Sequence, residues 1–330
     1  MKHKILILDA SAVKKIFSMK DAVKVTEKAF KDFASGKARM PSKVYLDLPE
    51  FNGDFRAMPA YTSSPPLAGI KWVNSHPGNI KKNYPTVMAT MIVCDAKTAV
   101  PLAFMDATYI TSLRTGAAGA LGAKYLARKN SKIVSLIGAG NQAIYQLSGL
   151  LSVFPEINSV RYFDPSKKSL DQFEKLIKSV YRKELIRSRN PEECVRDSDI
   201  IICTTPSRTP VIKNSWIKTG VHINAMGADA PGKQELESAL LKRAKIIVDD
   251  VEQASHSGEI NVPLKKGEFQ LHEIHATLGE AILKKNIRTG DSDITVFDST
   301  GLAIQDLYSA AWIIKKARIN GAKETIFETG

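Results

Sequence analysis

The chain has 330 residues, 44% of them hydrophobic and 25% charged. This length predicts two domains, and this composition excludes a disordered or fibrous chain. The formal net charge is +13, but the basic residues are scattered without a nucleic-acid-binding motif, so they favour anionic small molecules over nucleic acid. No apolar run approaches the roughly 20 residues that span a bilayer. The first residues lack the apolar core of a signal peptide, and the three cysteines lack the spacing of a disulfide framework or a zinc ribbon. We therefore expect a cytoplasmic protein without nucleic-acid or membrane partners.

Residues 1–112 predict one amphipathic helix followed by short strands. Ser18 and Asp21 are alternative caps for a helix over Ala22–Ser35, and Gly36 ends it. Alternating runs separated by Pro, Gly and Asn then predict an antiparallel or mixed sheet. These runs are Val44–Leu48, Phe55–Pro59, Gly69–Asn74, Thr86–Cys94 and Pro101–Met105.

From Thr111 the chain changes character. The segment Thr111–Ala127 is a helix rich in Gly and Ala, which indicates close packing against another backbone. Strand and helix patterns then alternate, which predicts a parallel sheet covered on both faces. The predicted strands are Lys132–Ile137, Val160–Phe163, Asp199–Thr204, Val221–Ala225, Ile246–Asp249 and Ile294–Phe297, and the predicted helices are Gln142–Val153, Ser169–Tyr181 and Gly301–Ile319.

A glycine-rich turn joins the first of these strands to its helix. The segment Gly138–Ala143 matches the dinucleotide-binding pattern G-x-G-x-x-G/A in the required strand–turn–helix setting. Gly138 makes the tight turn, Gly140 lets a pyrophosphate approach the backbone, and Ala143 permits close packing of helix and strand. The pyrophosphate then lies at the positive end of the helix dipole.

An acidic residue completes this pattern. Asp164 ends the next predicted strand, 24 residues past Gly140, where a carboxylate bonds the adenosine ribose hydroxyls and repels a 2′-phosphate. The sequence therefore favours NAD. The cations Lys167 and Lys168, just beyond that strand, keep NADP open as an alternative.

Three residues are candidates for substrate chemistry. Asp229 follows the strand Val221–Ala225 in a turn rich in Gly, Ala and Pro. This position fits three alternative roles: a catalytic base, a partner for a substrate ammonium, or a residue that only forms the turn. Lys71 lies in an otherwise apolar strand, so it either faces inward to bind an anion or reaches outward to solvent. Arg114, at the start of the small-residue helix, suits two-point binding of a carboxylate. Arg39 and Lys43 are further cations.

Other titratable pairs favour structural roles. His272 and His275 have ligand-like spacing, but no third ligand accompanies them, so we predict no metal site. Asp249 and Asp250 end a predicted strand and favour a solvated or capping pair over a magnesium site.

Five segments together resemble the ornithine cyclodeaminase/mu-crystallin family, and the resemblance covers essentially the whole chain. The segments are Gly69–Asn79, Leu113–Ala120, Gly138–Ala143, Asn224–Glu235 and Asp298–Asp306. Within the family, three more segments look most like archaeal-type NAD-dependent alanine dehydrogenases: Val248–Ala254, Gly258–Val262 and His275–Glu280.

The resemblance implies a fold and an assembly. We expect an α/β protein with a Rossmann doubly wound parallel sheet over residues 113–305, and a smaller α+β domain for substrate binding and dimerisation over residues 1–112 with 306–330. We also expect a homodimer.

The resemblance also implies site residues. Asp229 is the expected catalytic acid/base, assisted by Lys71. The expected substrate contacts are Lys71, Arg114, Lys43, Arg39 and Thr300. The expected NAD contacts are Gly138, Gly140, Asn141, Gln142, Ala143, Asp164, Thr86, Arg114, Thr115, Thr204, Thr205, Met226, Lys233 and Ser299. The family usually has an Arg where this chain has Lys43, and Lys lacks the bidentate fork of Arg. Either Lys43 or Arg39 therefore fills that role.

Three activities remain open. The first is oxidation of L-alanine to pyruvate and ammonia, with its reverse. The second is conversion of L-ornithine to proline and ammonia, or a related ketimine reduction; ornithine requires an acidic group that reaches its δ-ammonium, for which Asp47 and Glu50 are the candidates. The third is a mu-crystallin-like binder of NAD(P) or small molecules without turnover.

Overall fold

A computed structural model of the protein describes residues 1–284 and 286–328, which form two compact units. Unit 1 contains Met1–Arg114 and the segment from Leu302 onward, and unit 2 contains Thr115–Gly301. The chain therefore leaves unit 1 after Arg114 and returns to it at Leu302.

The elements of the described residues follow in chain order. The strands are β1 (Lys2–Leu8), β2 (Ala38–Arg39), β3 (Val44–Leu48), β4 (Gly53–Ser63), β5 (Pro66–Ser75), β6 (Ala89–Asp95), β7 (Pro101–Asp106), β8 (Ile133–Ile137), β9 (Ser159–Phe163), β10 (Glu184–Arg187), β11 (Ile200–Cys203), β12 (His222–Ala225), β13 (Ala244–Val248), β14 (Ile274–Thr277), β15 (Ile294–Asp298) and β16 (Glu324–Glu328). The helices are α1 (Ala10–Ile16), α2 (Met19–Ala34), α3 (Thr108–Leu126), α4 (Asn141–Val153), α5 (Lys167–Ile177), α6 (Pro191–Val195), α7 (Ser238–Arg243), α8 (Val251–Ser257), α9 (Asn261–Lys265), α10 (Leu278–Lys284) and α11 (Ala303–Ile319). Among these residues, no helix combines the length and apolar character needed to cross a bilayer.

Unit 1 is built on a mixed sheet, as predicted. Its strand order is β16-β1-β7-β6-β5-β4-β2, with β3 also paired to β4; only β1 and β7 run parallel. Helix α11 packs on β4 and β5, and α2 packs on α11. Because side chains alternate along a strand, this packing buries one face of the sheet and leaves the other face open.

Helix α2 shows how local sequence determines an element. Ser18 is its N-cap and accepts a hydrogen bond from the Asp21 amide, while the Asp21 carboxylate accepts one from the Ser18 amide. The two predicted caps therefore act together as a capping box. The helix begins at Met19, three residues before the predicted start.

Unit 2 is built on a parallel sheet with the order β10-β9-β8-β11-β12-β15-β13-β14. Strand β11 is buried on both faces: Ile200 and Ile202 lie in one hydrophobic core, and Ile201 and Cys203 lie in the other. The predicted doubly wound α/β class is therefore confirmed. Strands β9 and β10 follow β8 on one side, whereas β11 and β12 extend the sheet on the other side, so the strand order switches between β8 and β11. Open parallel sheets bind ligands at such a switch point, beyond the carboxyl ends of the strands.

The small residues of α3 have the close backbone neighbour that the sequence predicted. A Cβ atom added to Gly149 of α4 would lie 2.4 Å from the carbonyl oxygen of Gly116 in α3. No side chain fits between the two helices at this crossing, so Gly is required there.

Candidate functional site

The glycine loop after β8 has the geometry of a phosphate-binding turn. Gly138 has φ +95°, and a Cβ there would lie 3.0 Å from the Thr204 carbonyl oxygen, so only Gly fits. Gly140 is the N-cap of α4 without a side-chain cap, and a Cβ there would meet no atom within 4 Å. The loop therefore offers an open helix N-terminus to an anionic group.

Asp164 lies against this loop. Its Oδ2 accepts a hydrogen bond from the Ala139 amide at 2.9 Å, and its Oδ1 accepts one from the Ser166 amide at 2.8 Å. The carboxylate is partly buried, whereas Lys167 and Lys168 at the start of α5 are exposed. Asp164, the acid of the predicted dinucleotide-binding pattern, is thus held beside the glycine turn, whereas Lys167 and Lys168 extend into solvent.

The end of β11 adjoins the glycine loop. Thr204 donates from its hydroxyl to the Gly138 carbonyl oxygen at 3.2 Å. Thr205, the next residue, donates from its amide and its hydroxyl to Oε1 of Glu235, at 2.6 and 2.8 Å. The predicted cofactor residues of this loop are therefore bonded to the neighbouring loops rather than left mobile.

Glu235 joins two loops, and the sequence analysis did not assign it a role. Its Oε2 accepts from the Gly227 amide at 2.7 Å, so the fully buried carboxylate bonds the loops after β11 and β12 together. Burial raises the pKa of Glu235 to about 7, against the hydrogen bonds from Thr205 and Gly227. An acid three residues past a Pro-Gly turn was the available sequence signal, but the turn alone does not show that the acid is buried.

Other buried carboxylates secure the remaining loops at this edge. Asp249 accepts from the Thr300 and Gly301 amides and from the Ser299 hydroxyl, so the predicted contacts Ser299 and Thr300 are fixed by one acid. Asp250 is the N-cap of α8. Asp250 therefore has the capping role that the sequence favoured, whereas Asp249 is buried and bonds the loop after β15 to the end of β13.

Asp229 lies in the loop after β12. Its Oδ1 is 2.6 Å from the Lys233 ammonium, and its side chain is 37% exposed. The same loop is anchored by Asn261, which accepts from the Gly232 amide and donates to the Lys233 carbonyl oxygen, each at 2.9 Å. Met226, at the start of the loop, donates from its amide to Cys203. Asp229 thus stands on an anchored loop with its carboxylate partly accessible.

In unit 1, Lys71 faces inward. Its side chain is fully buried on the covered face of β5, and its ammonium is 2.7 Å from Oδ2 of Asp306 in α11. The other oxygen of Asp306 is 3.1 Å from Nε of Arg114, which also donates from Nη1 to Gln305 at 3.0 Å. Residues from α3, β5 and α11 therefore form one buried cluster of two cations and one acid.

This cluster has unused donors. The Lys71 ammonium has three N–H donors and a 2.7 Å contact with Asp306, and the buried Nε2 of Gln305 makes no hydrogen bond within the described residues. Buried polar groups are ordinarily bonded, so such donors indicate a ligand that supplies acceptors. Burial lowers the pKa of Lys71 to about 7, reinforced by the Arg114 charge and opposed by Asp306.

Arg39 and Lys43, the alternative cations for the usual family Arg, differ in their relation to Lys71. Lys43 is close enough to lower the pKa of Lys71. Arg39 pairs with Tyr61 in the sheet and stacks over its ring at 4.9 Å, whereas Lys71 pairs with Met58. Alternation along β4 puts Tyr61 and Met58 on opposite faces, so Arg39 is on the face away from Lys71.

The remaining predicted contacts are also located. Thr86 lies in the loop before β6, where its carbonyl oxygen accepts from the His76 amide at 2.7 Å. Thr115 accepts at its carbonyl oxygen from Gln146 at 2.9 Å. Asn141, Gln142 and Ala143 form the first turn of α4.

Two further charged residues of unit 1, Asp306 and Arg56, were not predicted as site residues. Asp306 was noted only within a family segment, although an acid within the apolar pattern of α11 was itself a signal. Arg56 is 8% exposed on the same face of β4 as Met58, and it forms a bidentate pair with Asp54 at 2.9 and 3.0 Å. A buried Arg in a strand was the corresponding signal there.

Known proteins resemble this chain along its length. The Ornithine cyclodeaminase/mu-crystallin family model matches residues 3–321. Alanine dehydrogenase from Archaeoglobus fulgidus is 50% identical over 94% of this chain and 95% of its own. The structure of an archaeal alanine dehydrogenase dimer with bound NAD matches with a TM-score of 0.93 at 48% identity, covering 99% of this chain and 100% of the other.

A third relative has a different activity. The structure of Thermococcus litoralis Delta(1)-pyrroline-2-carboxylate reductase, in complex with NADH and L-proline, matches with a TM-score of 0.93 at 36% identity, covering 97% of this chain and 99% of the other. The predicted resemblance is therefore confirmed, and the chain belongs to the ornithine cyclodeaminase/mu-crystallin family.

Proposed function

We propose that this chain is an NAD-dependent alanine dehydrogenase, which converts L-alanine, water and NAD⁺ to pyruvate, ammonium, NADH and one proton, and catalyses the reverse. The observation that carries the proposal is the buried Lys71–Arg114 cluster with unused donors, in a chain 50% identical to the Archaeoglobus fulgidus enzyme. Such a cluster suits a carboxylate ligand.

The residues of unit 2 fit the dinucleotide. The positive φ of Gly138, the open space at Gly140 and the uncapped α4 suit a pyrophosphate, and Asp164 suits the ribose hydroxyls of NAD. Asn141, Gln142, Ala143, Thr204, Thr205, Met226, Lys233 and Ser299, with Thr86, Arg114 and Thr115, are the further proposed contacts. Bound NAD supplies the oxidant that accepts hydride from the substrate Cα.

The cations of unit 1 have the role of orienting the substrate. Lys71 and Arg114 bind the alanine carboxylate by charge-assisted hydrogen bonds, and fixing that group orients Cα for reaction. The position of Lys43 supports it, rather than Arg39, as the residue in the usual family Arg position. Thr300 is a further proposed substrate contact.

Asp229 has the role of general acid/base. Its carboxylate accepts a proton from the alanine ammonium, so that the amine lone pair can form the iminium as Cα is oxidised. After that proton passes to solvent, the carboxylate takes a proton from the water that attacks the iminium carbon and returns it to the amine nitrogen. The C–N bond then breaks, and the departing ammonia takes the proton of the carbinol hydroxyl, which leaves pyruvate and ammonium. The Lys233 ammonium, 2.6 Å away, pairs with the carboxylate and fixes its orientation.

We further propose a cytoplasmic homodimer in which unit 1 binds substrate and makes the dimer contact, and unit 2 binds NAD. The open face of the unit 1 sheet supports this assembly, because Ile70, Trp72, Ile92 and Phe104 are 37–44% exposed there. Large apolar side chains clustered on a surface are typical of an interface.

A product assay tests the proposed function. Purified protein with NAD and L-alanine should give NADH, whereas proline from L-ornithine without net NADH would identify a cyclodeaminase. No product from either amino acid, with NAD still bound, would identify a binder.

The second candidate is reduction of a cyclic imine acid. The 36% identity to the Thermococcus litoralis reductase favours it. NADH oxidation with Δ1-pyrroline-2-carboxylate, faster than with pyruvate and ammonia, would identify this activity.

Asp164 provides a test of cofactor choice. Replacing it with Ser should relax selectivity towards NADP by at least about tenfold in the ratio of kcat/KM values, because the carboxylate that repels a 2′-phosphate is removed and Lys167 and Lys168 lie nearby. Steady-state kinetics with both cofactors measures the ratio. The matched control is Asp171→Ser, because Asp171 is an exposed acid of the following helix α5 and pairs with Arg187. An unchanged ratio would place the ribose contact elsewhere.

A further inference from the structure

We propose that Asp306 is a positioning residue for the substrate carboxylate, acting through Lys71 and Arg114. This inference rests on the proposed function, and it assigns a task to a residue that does not itself have to touch the substrate.

The geometry gives each carboxylate oxygen of Asp306 its own cation. Oδ2 is 2.7 Å from the Lys71 ammonium and Oδ1 is 3.1 Å from Nε of Arg114. The three side chains are 0–6% exposed and come from three elements, β5, α3 and α11. Asp306 therefore fixes the distance between two cations that no shared backbone element holds together.

Gln305 orients the second cation. It accepts from Nη1 of Arg114 at 3.0 Å and lies beside Asp306 at the start of α11. The guanidinium is thus bonded at Nε and Nη1, which fixes its plane. A carboxylate ligand would therefore meet a guanidinium whose direction is already determined, and pre-organisation of this kind lowers the cost of binding.

The charges show why an acid is needed here. Burying two cations side by side without a counter-ion is unfavourable, and one carboxylate neutralises only one of them. The cluster keeps one positive charge in excess, which a substrate carboxylate neutralises. An acid at position 306 therefore makes the site stable when empty and leaves it attractive to a monoanion.

Asp306 and Arg114 also control the protonation of Lys71. Burial and the Arg114 charge lower its pKa to about 7, Asp306 raises it, and Lys43 lowers it further. Arg56 shares the covered face of the sheet, but it is paired with Asp54. Without Asp306 the pKa of Lys71 falls, so the ammonium that binds the carboxylate is lost at a lower pH.

Pyruvate binding without turnover provides the test. The Kd of pyruvate, measured by calorimetry from about pH 5.5 to about pH 9, should rise in the native protein as Lys71 deprotonates near pH 7. In Asp306→Asn the rise should begin at lower pH, and at pH 7 the Kd should be at least about tenfold higher. The KM for alanine should rise more than kcat falls, while the Kd of NAD stays unchanged.

A matched variant separates positioning from folding. Asp32 is another buried carboxylate that bonds α11, through Tyr308 at 2.6 Å. Asp32→Asn should lower the melting temperature and leave the pH dependence of pyruvate binding unchanged. If Asp306→Asn does not fold, Asp306→Glu serves instead: it keeps the charge, so the pH dependence should stay while the Kd rises.

The outcomes distinguish this inference from the proposed function. If the native protein binds pyruvate with the expected pH dependence and Asp306→Asn does the same, the inference is overturned. The same result follows if Asp306→Glu binds with the native Kd. If the native protein neither binds pyruvate nor oxidises alanine, the proposed function fails, and the inference fails with it.

Discussion

Replacing Asp229 with Asn should lower kcat for alanine oxidation by about 10²–10⁴-fold, the range that general acid–base catalysis supplies. An amide cannot accept the ammonium proton or activate water, so both proposed proton transfers are lost. The side chain is 37% exposed and pairs with Lys233, and ion pairs near the surface contribute only about 0–1 kcal/mol to folding. The fold should therefore persist, and the Kd of NAD should stay within a few-fold of the native value.

Stopped-flow and steady-state measurements of NADH formation give kcat for the Asp229 variant. The control is Asp197→Asn, an exposed residue of unit 2 with φ +64°, a conformation that Asn also accepts. That variant should turn over alanine at the native rate. If Asp229→Asn retained half of the native kcat, another group would be the acid/base.

Replacing Lys71 with Met should lower kcat/KM for alanine by at least about 10²-fold, mostly through KM. Losing one partner of a buried charge pair costs about 2–5 kcal/mol, and the substrate carboxylate would lose that partner. Met is similar in volume and apolar, and Asp306 would keep its contact with Arg114 at 3.1 Å. The variant should therefore fold, with the loss confined to substrate binding.

Kinetics with alanine measure the loss of substrate binding in Lys71→Met, and calorimetry with NAD shows whether the variant still folds and binds the cofactor. Lys97→Met is the control, because Lys97 is exposed in the turn between β6 and β7. A native KM in Lys71→Met would show that the carboxylate binds elsewhere.

Local sequence patterns predicted most elements of the fold. Strand β3 has the predicted bounds, β9 and β12 each differ by one residue at one end, and β11 is one residue shorter at both ends. These strands carry their own alternation or apolar run, so nearby residues are enough to identify them. Strand β6 begins at Ala89 rather than Thr86. Before it, the Met88 amide donates to the Asn74 side chain at 2.7 Å, while the Asn74 amide still donates to the Met88 carbonyl oxygen at 3.0 Å.

The strands β1 and β16 were not predicted, and the reason is their distance in sequence. Strand β1 pairs with β16 on one side and with β7 on the other, so its partners lie at the far end of the chain and about a hundred residues away. Charged residues at Lys2 and Lys4 also mask its alternation. Pairing of this kind becomes visible only in three dimensions.

Contacts between residues distant in sequence were also the part of the candidate site that the sequence did not predict. The glycine loop and Asp164 form a local pattern with fixed spacing, so the sequence predicted them directly. The inward direction of Lys71 stayed an open alternative until Asp306, 235 positions later, was found beside it. Likewise, Arg39 and Lys43 are four residues apart in sequence. Only the sheet register shows that Arg39 lies on the face opposite Lys71.

The central claim is that this chain oxidises alanine with NAD. The most direct measurement is the product ratio in the incubation of purified protein with NAD and L-alanine. We expect NADH, pyruvate and ammonium in equal amounts, each formed about 10²–10⁴-fold more slowly when Asp229→Asn replaces the native protein. Absence of pyruvate, or proline from ornithine at a higher rate without net NADH, would contradict it.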